Sequence, residues 1–413
     1  MSVLRILIIA HAHPAFSQGG AELAAYHLFE HFRQDVECDA WFLACHQQAG
    51  FARPGSAFAV RGEDQREILY DQSTDYFDFS ANNLRYLAFD LGGLLREIRP
   101  DVVHFHHYVN VGIEAFRIVR RELPRAKVIL TLHEFLAICN RQGQMLKTNG
   151  KLCERPHPQD CHLCMPERLP PDYFLRDRYI KSQFSAVDRF ISPSEFLKAR
   201  YVDWGLDAKR IAVIENGQPA GPVAAERGEP LERQIFGYFG QITPYKGVDV
   251  LLDAFSRLPE RLRELSVLQV HGGGHQNFPG AFATRMEAAL AAGPKEYVYA
   301  GPYEPEDLTR RMAGVDWVVV PSIWWENSPL VIQEAFRHGR PVICSNIGGM
   351  AEKVTEGKDG LHFQVGDPIA LQKVLRRVIE DPTLLERLRR GIVTPPSIDC
   401  TAKQCLALYR GTD

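Results

Sequence analysis

The feature that most constrains how this chain can fold is a regular alternation of short, largely apolar runs with longer helical stretches. Runs over 4–10 ("LRILIIA"), 38–44, 101–107, 127–132 and 189–194 occupy the first half. Runs over 235–240, 265–270, 296–300, 316–321 and 341–345 occupy the second. A strand that is apolar at successive positions is buried on both faces. With helices between the strands, as at 21–32 and 112–124, the pattern predicts parallel sheets covered on both sides. The stretch 216–234, "NGQPAGPVAAERGEPLERQ", is rich in Gly, Pro and charge and suits a boundary. Two doubly wound α/β domains are therefore predicted, 1–215 and 216–395. A C-terminal helix over 396–413 is expected to cross back to the first domain. Ligands of such sheets bind at strand carboxyl ends, so the two domains are expected to face each other across a deep cleft.

Composition narrows the function classes. The chain has 413 residues, 45% of them hydrophobic and 24% charged, which is ordinary globular material for two or three domains. A net charge of −3 argues against a nucleic-acid partner. No run of about 18 apolar residues would span a bilayer. The opening "MSVLRILIIAHAHP" reads as a buried first strand rather than a signal peptide. Nine cysteines, an odd count, argue against a disulfide scaffold and for a reducing, cytoplasmic location.

The most informative stretch is 324–341, "WWENSPLVIQEAFRHGRP". Glu326 falls on the loop after the 316–320 strand, and Glu334 falls in the second turn of the helix that follows. Ser328 is expected as its N-cap and Pro329 at its first position. Gly339 and Pro341 end it. The N–H groups of such a helix start favour a phosphate. A carboxylate beside that phosphate can instead accept hydrogen bonds from hydroxyls. Two carboxylates flanking an anion-binding helix start suggest a ligand with a phosphate centre and hydroxyls at both ends, the layout of a nucleotide sugar. Two solvated surface glutamates are the plainer alternative.

These residues resemble the E-x7-E motif of family 4 glycosyltransferases, which have the GT-B fold of two Rossmann-like domains. "FGYFGQITPYKGVDVLLDAF" (236–255), "PVICSNIGGMAEKV" (341–354), "RFISPSEFLKARY" (189–201) and "IAVIENGQP" (211–219) resemble further segments of that family in order. The resemblance runs from about residue 4 to about 410. It implies that Glu334 binds the donor ribose, that Glu326 contacts the transferred sugar, and that the amides of Asn327, Ser328 and Leu330 hold the distal phosphate. Lys246 would pair with the diphosphate, and Gly240 and Tyr303 would also line the donor site. The family usually has an arginine after the strand glycine. Here Gln241 stands there, a neutral amide that brings no charge. The resemblance implies a UDP- or GDP-type donor and transfer to an acceptor hydroxyl with retention; no metal is needed in the chemistry if Lys246 and the helix start at 328 supply the countercharge, and no D-x-D pair is found. His133, after the 127–132 strand, would contact the transferred sugar, so His133, Glu326 and Lys246 are the expected catalytic set.

On the acceptor side, Gly19 and Gly20 precede a helix without the G-x-G-x-x-G fingerprint, and the resemblance places this loop near the phosphates and acceptor. Alternation sends His104 and His106 to one face of their strand and His107 to the other, with His106 a weaker candidate for shaping the acceptor site. Basic and aromatic residues over 172–184 and 116–127 suit either a solvated face or an anionic membrane surface. The stretch 135–170 is too long for a plain βα loop. It carries Cys139, Cys153, Cys161 and Cys164, and Cys161-x2-Cys164 has the ligand spacing of a structural zinc, with free thiols the alternative. Two other readings compete. A nucleotide-sugar epimerase would need an acid–base carboxylate pair in the first half, which is not evident. A non-catalytic nucleotide-sugar-binding protein would differ by lacking turnover. The acceptor and the oligomeric state are not specified by the sequence.

Overall fold

The structure, a computed structural model, describes residues 3–17, 19–46, 56–225, 233–278, 280–291 and 293–412. The chain forms two compact units, Met1–Pro219 with Pro396–Asp413, and Ala220–Pro395. Part of the expected boundary stretch, 226–232, lies outside the described residues.

In the first unit, eight strands form one sheet: β1 (Leu4–Ala10), β2 (Cys38–Cys45), β3 (Phe58–Arg61), β4 (Glu67–Tyr70), β5 (Val102–Phe105), β6 (Lys127–Thr131), β7 (Arg189–Ser192) and β8 (Ile211–Val213). Their order is β3-β4-β2-β1-β5-β6-β7-β8, and every neighbouring pair is parallel except β3–β4. Strand order reverses between β1 and β5, so the loops after these two strands open at the sheet's switch point. Ile6 and Ile8 pack with Phe29 and Phe32 of the helix Gly20–Gln34 and with Leu408 and Tyr409 of the helix Ile398–Arg410. Full burial of each such side chain contributes roughly 1.5–3 kcal/mol.

In the second unit, β9 (Gln234–Phe239), β10 (Ser266–His271), β11 (Tyr297–Gly301), β12 (Trp317–Val320), β13 (Val342–Ser345) and β14 (Gly360–Phe363) form an all-parallel sheet in the order β11-β10-β9-β12-β13-β14. The period of two shows directly. Trp317 and Val319 enter the core that contains Leu251, Phe255 and Leu371, and Val318 and Val320 enter the core that contains Ile332 and Ala335. Here the switch point lies between β9 and β12.

Three expectations change. Strands β3, β4, β8 and β14 are additional to those read from the sequence. The helix after β12 runs Leu330–Arg337 with Pro329, not Ser328, at its N-cap. Ser328 instead donates its N–H to Asn327 Oδ1 at 2.6 Å, and its own hydroxyl is buried without a partner. The basic helices at 115–122 and 170–184 also spend charge on internal bonds. Arg117 donates to Gln183 Oε1 at 3.0 Å and Arg120 to the Ala186 carbonyl at 3.0 Å, while Arg176 is buried.

Candidate active site

In the second unit the loops after β9 and β12 bring Lys246 against Glu326, 2.6 Å from Nζ to Oε1. This approach needs glycine. Gly247 has a φ of +67°, and a Cβ there would lie 2.0 Å from the Pro321 carbonyl oxygen. Glu326 Oε1 also accepts from Ser322 Oγ at 2.8 Å and Trp324 Nε1 at 2.9 Å. Burial pushes this carboxyl up, but the Lys246 charge and the three hydrogen bonds outweigh it and hold the pKa below the usual glutamate value. So the two residues assigned separately from the sequence, one to phosphate and one to sugar, form a single pair.

Glu334 differs from Glu326 in every respect. It sits on the helix Leu330–Arg337, and its carboxylate makes no hydrogen bond or ion pair among the described residues. Burial raises its pKa to about 7, only partly opposed by Arg337. A half-buried carboxylate without donors has unused capacity to accept hydrogen bonds from a ligand. The first N–H groups of its helix have no intrahelical partners. The loop beneath is fixed from the next element: Gly349 donates its N–H to the Glu326 carbonyl at 2.7 Å, and a Cβ on it would lie 1.9 Å from the Asn327 oxygen.

Gly240 ends β9 with a φ of +136°, and the side chain of Gln241 is exposed. Tyr303 packs edge-on to Phe239, centroids 6.0 Å apart, and feels the charge of Glu334. Arg311, missed in the sequence, lies 5.2 Å from the Tyr303 ring. Its guanidinium is spent on His271 Nδ1 and on the carbonyls of Ala300, Gly301 and Pro302. It is therefore not a ready substitute for the arginine that Gln241 replaces.

In the first unit the loops after β1, β5 and β6 gather a histidine–carboxylate network. His106 Nδ1 is 3.0 Å from His133 Nε2, which brings two of the predicted residues together. Beside them His11 pairs with Glu22 at 3.3 Å and lies 4.5 Å, ring to ring, from His107. His107 Nδ1 accepts N–H bonds from Tyr108 and Val109, so its Nε2 carries the hydrogen and faces Glu134 Oε1 at 3.3 Å. Burial lowers the pKa of His133 to about 3, with His107 and His11 adding to the effect, so the ring is neutral at pH 7. Burial raises Glu134 to about 7, partly opposed by the N–H that Leu136 donates to it. For Glu22, burial acts upward but His11 and Ser17 hold it at about 2. Gly19 caps the helix Gly20–Gln34, and a Cβ there would come 2.4 Å from Glu22 Oε2. The absence of a side chain at Gly19 thus leaves room for the Glu22 carboxylate against the backbone. His11 and Glu22 were not singled out from the sequence, whereas His107 and Glu134 were noted there without a firm site role. Position at a strand's carboxyl end was the available signal, and it applied to each loop.

His104 is taken up elsewhere, between Tyr409 Oη at 2.5 Å and Thr131 Oγ1 at 2.7 Å. The four cysteines of the 135–170 stretch form no disulfide. No group of three or more His, Cys, Asp and Glu side chains among the described residues is already arranged to hold a metal ion. Among the described residues no helix is long and apolar enough to cross a membrane.

Two doubly wound sheets, parallel except for the β3–β4 pair and each with polar groups at its switch point, are the architecture of the GT-B fold, and comparison with known proteins agrees. A family model described as "Glycosyltransferase Family 4" matches residues 18–219, and one described as "Glycosyl transferases group 1" matches 223–392. The D-inositol 3-phosphate glycosyltransferase of Corynebacterium efficiens is 29% identical over 398 residues, covering 91% of this chain and 86% of that protein. The one from Nocardioides sp. is 26% identical, covering 75% and 67%. In fold, the chain is similar to sucrose-phosphate synthase from Thermosynechococcus elongatus, with a TM-score of 0.73 at 18% identity over 99% of both chains. It is also similar to Anabaena HepE in complex with UDP, with a TM-score of 0.69 at 16% identity over 99% and 100%. The chain belongs to glycosyltransferase family 4 and is an enzyme that transfers glycosyl groups.

Proposed function

We propose that the enzyme takes a sugar from a uridine- or guanosine-diphosphate donor and transfers it to an acceptor hydroxyl with retention of anomeric configuration. The observation that carries this reading is the unpartnered, half-buried Glu334 on a helix whose free N–H groups lie one turn away. A carboxylate and an amide cradle so close together suit a ligand that has both hydroxyls and phosphate. Solved structures of similar fold with UDP and with UDP-glucose bound support the donor class.

In this reading Glu334 accepts the ribose hydroxyls, and the amides of Asn327 and Leu330 hold the distal phosphate, joined by that of Ser328 when it exchanges Asn327 Oδ1 for a phosphate oxygen. Breaking the bond between the anomeric carbon and the phosphate oxygen leaves negative charge on the departing diphosphate. Fixed dipoles and a cation stabilise it. Lys246 is that cation. Glu326 occupies one of its three Nζ donors, which orients the other two toward phosphate oxygens. The free oxygen of Glu326 accepts from the transferred sugar. The acceptor is assigned to the first unit, where neutral His133 lies beside His106. The departing phosphate takes the acceptor's proton as the acceptor attacks from the same face.

The test is a thermal-shift and turnover screen across nucleotide sugars with wild type and Glu334→Ala. A uridine or guanosine donor should stabilise the wild type and not the variant. Equal stabilisation of both would remove Glu334 from the donor site. Donor binding without turnover, even of hydrolysis, across a broad acceptor panel would favour the non-catalytic binding reading.

A further inference from the structure

The 135–170 stretch begins immediately after His133 and Glu134 and is built in two parts. In the first, Cys139 donates its N–H to Phe135 O at 2.7 Å, and a small hairpin follows. Leu146 pairs with Leu152, Lys147 N–H donates to Lys151 O at 2.8 Å, and Cys153 N–H donates to Met145 O at 2.7 Å. This part is anchored by buried Phe135, Ala137, Ile138, Met145 and Leu146. The second part is the short helix Pro158–Cys164, which has no fully buried residue, and Leu163 on it is 74% exposed. Apolar burial does not account for the position of this helix.

The helix nevertheless carries Cys161 and Cys164 three positions apart, on one face. Cys139, Cys161 and Cys164 all act electrostatically on Cys153, so the four sulfurs, two from the anchored part and two from the helix, share one neighbourhood. A second observation points to negative charge there. Arg176 is 5% exposed, and its guanidinium donates to the carbonyls of Leu136 at 2.6 Å, Ala137 at 2.9 Å and Phe77. It ion-pairs with no carboxylate among the described residues. Its neighbours include Cys139 and Cys161. A buried cation is costly unless anions balance it. Asp177 and Glu134 act on Arg176 without pairing with it, and thiolates on a metal would add to them. Cys161 also lines a surface cavity with His157 and Asn140, which gives an ion a path from solvent.

We propose that Cys139, Cys153, Cys161 and Cys164 are the ligands of one structural zinc ion that pins the 158–164 helix to the hairpin. The side chains turn inward to close the tetrahedron. Each thiol releases its proton to solvent on binding, and nothing is oxidised. The metal takes no part in glycosyl transfer. It orders the chain leading away from His133 and Glu134. This assignment does not rest on the donor proposal.

Elemental analysis of the full chain purified without added metal should give about one zinc per chain. X-ray absorption should show four sulfur ligands at about 2.3 Å. Cys161→Ser should lose the zinc, and Cys400→Ser, at an exposed cysteine outside the cluster, should keep it. If Cys161→Ser fails to fold, the absorption spectrum of the wild type decides alone. Removing the metal from wild type should open 140–165 to protease and leave nucleotide binding unchanged. Metal-free protein with four titrating thiols would overturn the proposal, as would disulfides among these cysteines, iron in place of zinc, or zinc retained by Cys161→Ser.

Discussion

At the scale of single residues, the two glutamates eight positions apart were legible because charge inside an apolar strand–loop–helix run is out of place. Their opposite environments were not legible. Glu326 meets Lys246 across 80 positions of sequence, and only folding shows that the pair is satisfied while Glu334 is not. The pairs His11–Glu22 and His107–Glu134 were missed for the same reason, since each joins separate loops. The asymmetry leads to a stability prediction. The Glu334 pKa rises from 4.5 to about 7, so the folded chain holds that proton more tightly than the unfolded one. The carboxylate therefore costs stability, by an amount that grows as pH rises from about 4.5 to about 7 and is constant above. Glu334→Gln should stabilise the ligand-free protein by about 1–3 kcal/mol at pH 8 and by little at pH 4, as read by denaturant unfolding. The same variant should bind donor roughly 10- to 100-fold more weakly, a loss typical of one charged hydrogen-bond partner. Wild-type donor affinity should fall as pH drops below about 7. A flat calorimetric profile between pH 6 and 8 would contradict the role given to Glu334. Lys246→Met should behave oppositely, losing both turnover and stability because Glu326 stays buried without its cation. Adding Glu326→Gln should recover stability but not activity.

At the scale of elements, the strands with long apolar runs were readable because burial on both faces leaves a strong signal. Among those not read, β8 has only three residues and β3 is an edge strand with an exposed end, so neither carries a long apolar run. The 330–337 helix was readable, but its start was misplaced. Ser328 has the chemistry of a cap, yet its N–H is taken by Asn327 and its hydroxyl is turned inward. The element contact that matters most for the donor site is backbone against backbone. Gly349 lies under the 326–327 loop with no room for a methyl group. Gly349→Ala should therefore push the 348–353 helix off that loop. Donor KM should rise at least tenfold while far-UV circular dichroism stays native. An unchanged KM would show that this helix does not support the site.

At the scale of the whole molecule, each unit has its own core, but the units differ in how the chain supplies it. Residues 220–395 are continuous, whereas the first unit needs the helix Ile398–Arg410 from the far end of the sequence. Its Ala402, Cys405, Leu408 and Tyr409 are buried against the first-unit core, and Tyr409 meets His104. A fragment of residues 220–395 should fold and bind a uridine or guanosine nucleotide, as judged by dispersed amide NMR signals and titration. Failure to fold would show that the continuous unit depends on the other. Turnover by the full chain should also survive a strong chelator in a short assay if, as proposed, Lys246 and helix N–H groups neutralise the leaving group. Restoration by magnesium of activity lost to chelator would place a metal on the diphosphate. The late position of the closing helix has a further consequence during synthesis. On the ribosome the first unit emerges first but carries an uncovered apolar groove until residues 398–410 leave the exit tunnel. The second unit, although translated later, is the first to have its whole core available, so the order of completion reverses the order of translation.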